Sequence, residues 1–135
     1  MSENRRVALV GQQNAGKSTL FNLLTGLSQH IANYPGVTVD KKSGSFTYGG
    51  TRYEVIDLGA CYSLTSFSPE ERVTRSFLLD ENPDVVINVI DATNLLRSLG
   101  LTFQLLELGM PVIVALNMMD FIEARLFIIH DQLSS

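Results

Sequence analysis

The sequence predicts an α/β fold in which a mostly parallel sheet, with one antiparallel hairpin, lies between helices. Two short apolar runs, at residues 7–10 and 85–90, are typical of buried parallel strands, and apolar residues at helical spacing follow each of them. Gly49-Gly50 separates two segments that alternate loosely between apolar and polar residues, which indicates the hairpin. Strands that alternate with helices in this way are the pattern of a layered α/β domain.

Each element has its own local signal. The first helix begins near Lys17 and is expected to end at Gly26, which fits a C-cap. A later helix starts at Ser68, where a serine N-cap, Pro69 at the first position and Glu71 at the third form a capping box. The expected strands are residues 7–10, 37–48, 51–56, 85–90 and 111–116, the expected helices are 18–24, one that starts at 68, and 95–108, and the expected loop is 28–36.

The composition is that of one ordinary globular domain. The chain has 135 residues, of which 45% are hydrophobic and 18% are charged, and its net charge is −4. This acidic balance offers no general basic field for nucleic acid or anionic lipid. The single cysteine, Cys61, excludes an internal disulfide. No run approaches the roughly 18 apolar residues of a membrane span, so we expect the segment to be soluble.

One motif carries the strongest chemical signal. The phosphate-binding pattern G-x-x-x-x-G-K-[ST] is matched in full by Gly11, Gln12, Gln13, Asn14, Ala15, Gly16, Lys17 and Ser18. Its glycines let backbone N–H groups, up to that of Thr19, point at phosphate oxygens, and the helix that follows adds its positive dipole. Lys17 is expected to reach the β- and γ-phosphates, and Ser18 is expected to ligate Mg²⁺. A glycine-rich turn that contains Lys and Ser by chance is the alternative, and the strand before and helix after the motif disfavour it.

Two carboxylates further along the chain fit a nucleotide site. Asp57 ends an apolar strand, where a carboxylate can hold Mg²⁺ through a water molecule; an ordinary aspartate at a strand end is the alternative. Asn117, Met118 and Asp120 follow another apolar strand, and the Asp120 carboxylate can accept hydrogen bonds from the N1–H and 2-amino groups of guanine. Because adenine has no such pair of donors, Asp120 predicts GTP rather than ATP.

Four further segments carry a family resemblance. They are Asn33-Tyr34-Pro35-Gly36-Val37-Thr38-Val39, Asp57-Leu58 with Tyr62-Ser63-Leu64, Asp91-Ala92-Thr93-Asn94-Leu95, and Leu105-Leu106-Glu107-Leu108-Gly109 leading to Asn117-Met118-Met119-Asp120. With these segments the sequence resembles the translation-factor-type GTPases, and within them the cytosolic G domain of the bacterial ferrous iron transporter B (FeoB). Met118 is informative, because FeoB proteins commonly carry N-M-x-D where most GTPases carry N-K-x-D. The resemblance runs from about residue 7 to residue 120 and implies the P-loop NTPase fold of small G proteins.

The resemblance implies roles for two loop residues. Thr38 corresponds to the switch I threonine that ligates Mg²⁺ and senses the γ-phosphate, although without the resemblance it would be interpreted as a β-branched residue entering a strand. Asn14 corresponds to an asparagine that coordinates K⁺ beside the phosphates, together with backbone carbonyls from residues 32–36. K⁺ would then supply positive charge to a catalytic set of Lys17, Thr38 and Asn14. An Asn14 that only stabilises the turn of the loop is an equal alternative.

The chain departs from the FeoB pattern after Asp57. The family pattern D-L-P-G-T-Y-S-L is replaced by D-L-G-A-C-Y-S-L, so Gly59 stands for the proline and Ala60 for the glycine whose N–H contacts the γ-phosphate. An alanine is strained wherever the active state needs a positive φ, and Gly59 loosens the loop. We therefore expect slow hydrolysis, with a guanine-nucleotide-binding module that does not hydrolyse GTP as the alternative. Cys61 has no apparent His–acid partner nearby and is not expected to act as a nucleophile.

The C-terminal region predicts a piece of a larger transporter. Beyond Asp120 we expect the last strand and helix of a G domain, with its S/T-x-A base-contacting loop, to be missing or divergent, and we expect no membrane permease of FeoB. A single GTP-binding domain over residues 1–135 would then act at the cytoplasmic face of the bacterial inner membrane, with that permease as partner and without nucleic acid. A free sheet edge would favour a homo-oligomer. A ribosome- or RNA-associated GTPase shares the same motifs, but the acidic composition disfavours it.

Overall fold

The structure is a computed structural model of the chain. It describes residues 3–12, 15–34, 36, 39–59, 61, 63–64, 68–118 and 125–130, and for residues 3, 94, 117, 118 and 125–130 it describes the backbone alone. None of the helices that these residues form is long and apolar enough to cross a membrane.

Seven strands and three α-helices form among these residues. The strands are β1 (Glu3–Gly11), β2 (His30–Asn33), β3 (Asp40–Tyr48), β4 (Thr51–Asp57), β5 (Val85–Asp91), β6 (Val112–Met118) and β7 (Arg125–His130). The helices are α1 (Lys17–Thr25), α2 (Pro69–Glu81) and α3 (Leu95–Glu107), and a 3₁₀ turn at Ala92–Asn94 precedes α3. The predicted helices all form, with small shifts at their ends.

All the strands join one sheet in the order β2-β3-β4-β1-β5-β6-β7. Strands β4, β1, β5 and β6 run parallel to one another. The pairs β2–β3, β3–β4 and β6–β7 are antiparallel. The predicted α/β fold, with a parallel centre and a β3–β4 hairpin, is confirmed.

The segment 28–36, which we expected to be a loop, contains strand β2, so that expectation is wrong for His30–Asn33. All four residues of β2 are exposed, so this strand has no buried face that an apolar alternation in the sequence could have indicated. It forms because β3 offers a free edge, to which it pairs from His30 opposite Ser43 to Asn33 opposite Asp40.

Of the two alternatives for the region after Asp120, a missing last strand is also wrong, whereas a divergent one stays a prediction. Residues Arg125–His130 form β7, which pairs with β6 from Met118 opposite Arg125 to Ile113 opposite His130. The segment is rich in apolar and β-branched residues, which favour strands, and β7 covers the edge of β6 that we expected to be free. The expected absence of a following helix concerns residues outside the described ones.

Two apolar layers cover the two faces of the sheet. Successive residues of a strand point to opposite faces, so Ala8 and Val10 of β1 pack on one side and Val7 and Leu9 on the other. Helices α2 and α3 complete the first layer, and α1 completes the second, where Phe21 is fully buried. Both layers hold the carboxyl ends of the parallel strands in fixed positions.

A two-residue turn sets the register of the β3–β4 hairpin. The turn is Gly49-Gly50, with φ of 58° and 82°, values that glycine adopts without strain. Pairing the residues of β3 and β4 outward from this turn places Lys42 directly opposite Asp57.

Helix α2 begins with the serine N-cap and the proline that the sequence predicts. The Ser68 Oγ accepts a hydrogen bond from the Glu71 N–H at 3.1 Å, and Pro69 is the first helical residue. The Glu71 carboxylate accepts a hydrogen bond from the Ser63 N–H at 3.2 Å. The start of α2 is therefore attached to the segment that follows β4.

Candidate nucleotide-binding site

The carboxyl ends of four parallel strands meet at one edge of the sheet, which is where open α/β sheets bind ligands. β1 ends at Gly11, and its neighbour β4 ends at Asp57. On the other side of β1, β5 ends at Asp91 and β6 ends at Met118. The strand that leads into the phosphate loop thus lies beside β4, which ends in the predicted site residue Asp57, and two strands from β6, which ends in Met118.

The two glycines of the phosphate loop are required for two different physical reasons. A Cβ on Gly11 would lie only 2.7 Å from the carbonyl oxygen of Val89 on β5, so this position needs glycine for the close approach of two strands. Gly16, immediately before α1, has φ 92° and ψ 14°, in the left-handed region. Between them, the Ala15 N–H donates to the Gln12 carbonyl at 3.2 Å and closes a turn.

Helix α1 presents its first N–H groups at the same edge. Its first backbone hydrogen bond runs from the Leu20 N–H to the Gly16 carbonyl at 3.1 Å, and Gly16 provides no side-chain cap. Ser18 and Thr19 are exposed in this first turn. Because the first N–H groups of a helix lack partners within the helix, and the dipole is positive there, this turn suits a phosphate group.

Two lysines converge on Asp57. Its side chain is only 6% exposed; the Lys17 Nζ contacts Oδ1, and the Lys42 Nζ lies 3.9 Å from Oδ2. The Lys42 ammonium also lies 5.2 Å from the centre of the Phe21 ring, within cation–π distance. Lys17 and Asp57, which belong to two separate sequence motifs, are therefore brought together.

The oxygen ligands at this edge of the sheet fit Mg²⁺. Nucleotide sites hold Mg²⁺ through one or two protein oxygens together with phosphate oxygens. Asp57 offers a nearly buried carboxylate that already attracts two ammonium groups, and Ser18 offers an exposed hydroxyl in the first turn of α1. Such a carboxylate can exchange a lysine for a metal ion without becoming an uncompensated buried charge.

The loop that carries Thr38 is closed at its base by backbone pairing. The Tyr34 N–H donates to the Val39 carbonyl at 3.0 Å. The Tyr34 hydroxyl is buried without a hydrogen-bond partner among the described residues. Burial, and secondarily the negative charge of Asp57, raise the pKa of Tyr34 to about 12. The base of the predicted switch I loop therefore lies within the electrostatic influence of Asp57.

The segment after β4 connects the phosphate loop to two helices. The Cys61 N–H donates to the Gly11 carbonyl at 2.9 Å. The Leu64 N–H donates to the Gln104 side chain of α3 at 2.7 Å, and Arg75 of α2 donates to the Leu64 carbonyl at 3.2 Å. A displacement of this segment would be transmitted to both helices.

Two residues of this segment bear on the departure from the FeoB pattern. Gly59 does not adopt a positive φ, and a Cβ there would make ordinary contact with Glu70 at 3.6 Å. The Cys61 thiol is buried, and burial, followed by the charge of Glu71, raises its pKa to about 12. It therefore stays protonated near neutral pH, as a thiol without nucleophilic character.

Asn117 and Met118 end β6, two strands away from β1. Neighbouring strands are about 4.8 Å apart, so the end of β6 lies roughly 10 Å from the strand that enters the phosphate loop. A nucleotide has a comparable length between its base and its phosphates. The pairing of Asn117 with Asp91 on β5 fixes this position in the sheet.

Several predicted site residues lie outside the described part of the chain. They are Gln13, Asn14, Thr38, Ala60 and Asp120, and only the backbone is described for Asn117 and Met118. The other predicted residues of the site come together at the carboxyl edge: Gly11, Gln12, Ala15, Gly16, Lys17, Ser18, Thr19, Asp57 and Gly59.

Two contacts of this edge were not expected from the sequence. One is Lys42 beside Asp57, which a count of residues from the Gly49-Gly50 turn could have found. The other is a hydrogen bond from the Gln12 side chain to the Arg97 carbonyl of α3 at 3.3 Å. It had no signal in the sequence, because the position of α3 depends on packing.

Comparison with known proteins identifies relatives of this fold and site. A family model described as ferrous iron transport protein B matches residues 5–135. The fusion protein of Fe(2+) transport protein A and Fe(2+) transporter FeoB from Porphyromonas gingivalis is 50% identical over 121 residues, which cover 89% of this chain and 14% of that protein. The chain therefore spans only a small part of the length of this relative.

Solved structures are similar as well. The cytosolic domain of L. pneumophila FeoB superposes with a TM-score of 0.81 at 50% identity, over 85% of this chain and 46% of that one. A GDP-bound mutant of the S. thermophilus FeoB G-domain gives a TM-score of 0.79 at 49% identity, over 89% of this chain and 45% of that one. The predicted P-loop GTPase fold and the resemblance to FeoB are thereby confirmed.

Proposed function

The chain belongs to the ferrous iron transport protein B family, and we propose that it is the GTP-binding switch domain of such a transporter. The observation that carries the proposal is the contact between Lys17 of the phosphate loop and Asp57 at the end of β4. Two motifs that are 40 residues apart in the sequence thereby meet where the phosphates and the metal ion of a nucleotide would lie. We propose one GTP-binding domain over residues 1–135.

The phosphates would bind at the start of α1. The backbone N–H groups up to Thr19 would donate to phosphate oxygens, as the exposed first turn and the left-handed Gly16 allow. Lys17 would turn from Asp57 to the β- and γ-phosphates, which carry more negative charge than one carboxylate. Ser18 and Asp57, with Thr38, would hold Mg²⁺, which when bound neutralises charge on the phosphates.

Guanine would be selected at the end of β6. The backbone position of Asn117 and the spacing of the strands support this placement, and Asp120 follows shortly after in the sequence. Its carboxylate would accept two hydrogen bonds from guanine, and adenine would leave it unpaired.

A competition assay with fluorescently labelled GDP tests this selectivity. We expect GDP and GTP to displace the label and ATP to fail. Asp120→Asn should weaken GDP binding and improve binding of the xanthine nucleotide, because an amide can donate to the 2-oxo group of xanthine. Asp80→Asn, at an exposed site on α2, is the matched control and should change neither the binding of GDP nor that of the xanthine nucleotide. Displacement by ATP as strong as by GTP would refute the assignment.

We further propose that GTP hydrolysis is slow and stimulated by K⁺ at Asn14. The departure at Gly59 and Ala60 supports slowness, and the buried, protonated Cys61 is unable to activate water. Phosphate release should be faster in K⁺ than in Na⁺ at equal ionic strength, and Asn14→Ala should remove the difference. Nucleotide binding without phosphate release in either salt would instead favour a non-hydrolysing regulatory module.

GTP would act on the rest of the transporter by ordering two loops. The loop based on Tyr34 and Val39 and the segment after β4 both adjoin the site, and the latter contacts α2 and α3. We propose that these elements signal to a membrane part of the transporter, at the cytoplasmic face of the bacterial inner membrane. Hydrogen exchange should show α2 better protected with a GTP analogue than with GDP; equal protection would refute this route.

A further inference from the structure

Lys42 belongs to none of the motifs of the proposed function, yet it adjoins the metal-binding carboxylate proposed above. It stands opposite Asp57 in the register of β3 and β4, and its Nζ is 3.9 Å from the Asp57 Oδ2. The same ammonium lies 5.2 Å from the centre of the Phe21 ring on α1. Two independent contacts therefore hold this charge beside Asp57.

The two carboxylate oxygens of Asp57 face different lysines. Oδ1 contacts Lys17, which is part of the phosphate loop and would be drawn to the phosphates of a bound nucleotide. Oδ2 faces Lys42, which is carried by β3 and contacts Phe21. Lys42 would therefore remain beside Asp57 when Lys17 leaves it.

We propose that Lys42 is a resident counter-cation of Asp57 and sets how strongly nucleotide binding depends on Mg²⁺. In the absence of Mg²⁺, Lys42 keeps Asp57 paired, so the carboxylate does not face the phosphates as a bare negative charge. In the presence of Mg²⁺, the same ammonium repels the metal ion. Both effects reduce the advantage that Mg²⁺ gives to nucleotide binding. This inference rests on the proposed binding of guanine nucleotides.

The neighbouring lysine provides a matched control. Successive strand residues point to opposite faces of a sheet. The Lys41 Nζ accordingly lies over the Tyr34 ring, 6.0 Å from its centre, and the Lys42 Nζ lies over Phe21. Lys41→Met removes the same charge from the same strand without removing the cation beside Oδ2 of Asp57.

The test measures the dissociation constant of fluorescently labelled GDP for the full chain, once in Mg²⁺ and once in EDTA at equal ionic strength. Lys42→Met should raise the ratio of the EDTA constant to the Mg²⁺ constant by about three- to tenfold, as expected for one partly screened charge. Lys42→Arg should keep the ratio within about twofold of the unmodified chain, because the charge is retained. Lys41→Met should leave the ratio unchanged.

Two results would overturn the proposal. An unchanged ratio in Lys42→Met, which includes an equal loss of affinity with and without Mg²⁺, would indicate a packing role against Phe21. An equal rise in Lys41→Met would indicate a general effect of charge. Thermal unfolding checks that each variant folds, and Lys42→Gln replaces Lys42→Met if that variant does not. If the unmodified chain binds no GDP even with Mg²⁺, the proposed function itself fails; GDP binding with an unaltered ratio refutes only the role of Lys42.

Discussion

Replacing Gly11 by alanine tests the close approach of β1 to β5 at the start of the phosphate loop. The added Cβ would lie 2.7 Å from the carbonyl oxygen of Val89 and 3.4 Å from its Cβ. Non-bonded heavy atoms reach optimal separation only at about 3.5–4.0 Å, so full relief of the contact would need the two strands to separate by roughly 0.8–1.3 Å.

The expected cost follows from the position of this clash. Gly11 and Val89 are a register pair of two central parallel strands, and both are buried. Because the obstacle is backbone, a change of side-chain rotamer cannot relieve it. Overpacking of this kind costs about 1–3 kcal/mol, a substantial part of a typical domain stability of about 5–15 kcal/mol. The affinity for GDP should fall as well, because the displaced residue begins the phosphate loop.

The assay is urea unfolding followed by circular dichroism, with Gly100→Ala as the matched control. Gly100 lies in α3, it is exposed, and no atom lies within 4 Å of the position that a Cβ would take. Alanine should therefore stabilise the protein there by about 0.5–1 kcal/mol, since glycine is a poor helix former. The same substitution should thus lower the free energy of unfolding at Gly11 and raise it at Gly100.

Equal or higher stability of Gly11→Ala would refute the reasoning, since without a clash alanine costs less backbone entropy than glycine. A destabilised variant with unchanged GDP affinity would contradict the claim that strain at this pair is felt by the phosphate loop.

Two further predictions concern the cap of α2 and the pH dependence of stability. Ser68→Ala should lower the free energy of unfolding by about 1 kcal/mol because the Glu71 N–H loses its acceptor, whereas Ser76→Ala in the same helix should be neutral or slightly stabilising in urea unfolding. The folded state raises the pKa of Cys61 from 9.0 and of Tyr34 from 10.0, each to about 12, and so retains protons that the unfolded chain releases. This contribution to stability is complete below the unfolded pKa values and is lost as the pH rises towards 12. Unfolding measured across this alkaline range should show the decline, and Cys61→Ala should remove the part that begins near 9; a flat profile would contradict both shifts.

The central part of the fold could be predicted because its signals are local. The apolar runs at residues 7–10 and 85–90 bury both faces of a parallel strand, and such strands need no partner information to be detected. Gly49-Gly50 marks a turn by the backbone angles that only glycine adopts easily. Ser68 marks a helix start through a hydrogen bond made three residues away.

The missed strands depend on pairing with a neighbouring strand rather than on the segment alone. β2 consists of exposed residues, so its strand conformation comes from pairing with the edge of β3 rather than from a buried face. β7 has strand propensity, but its existence depends on the free edge of β6. Sequence patterns record what one segment buries, and β2 has no buried face to record.

The site shows the same division between information within one segment and information that depends on its partners. The phosphate loop is a continuous motif and could be recognised from one segment, while the contact of Lys17 with Asp57 requires the order of β1 and β4 in the sheet. Lys42 is an intermediate case: it lies six residues before Tyr48, and Asp57 lies six residues after Thr51. The two-residue turn therefore already pairs them, although the cation–π contact that holds the ammonium depends on the packing of α1.

The two lysines give Asp57 an order of events. Oδ1 is in contact with Lys17, so another cation can reach that oxygen only after phosphates have drawn Lys17 away. Oδ2 keeps Lys42 throughout, so the carboxylate is never left as a buried charge without a partner, a state that would cost several kcal/mol. At the proposed metal site, the carboxylate would therefore pass from a lysine to a metal ion in small energetic steps. A phosphate loop whose lysine is paired in this way would complete that site only when a nucleotide is bound, so metal binding and nucleotide binding would be coupled.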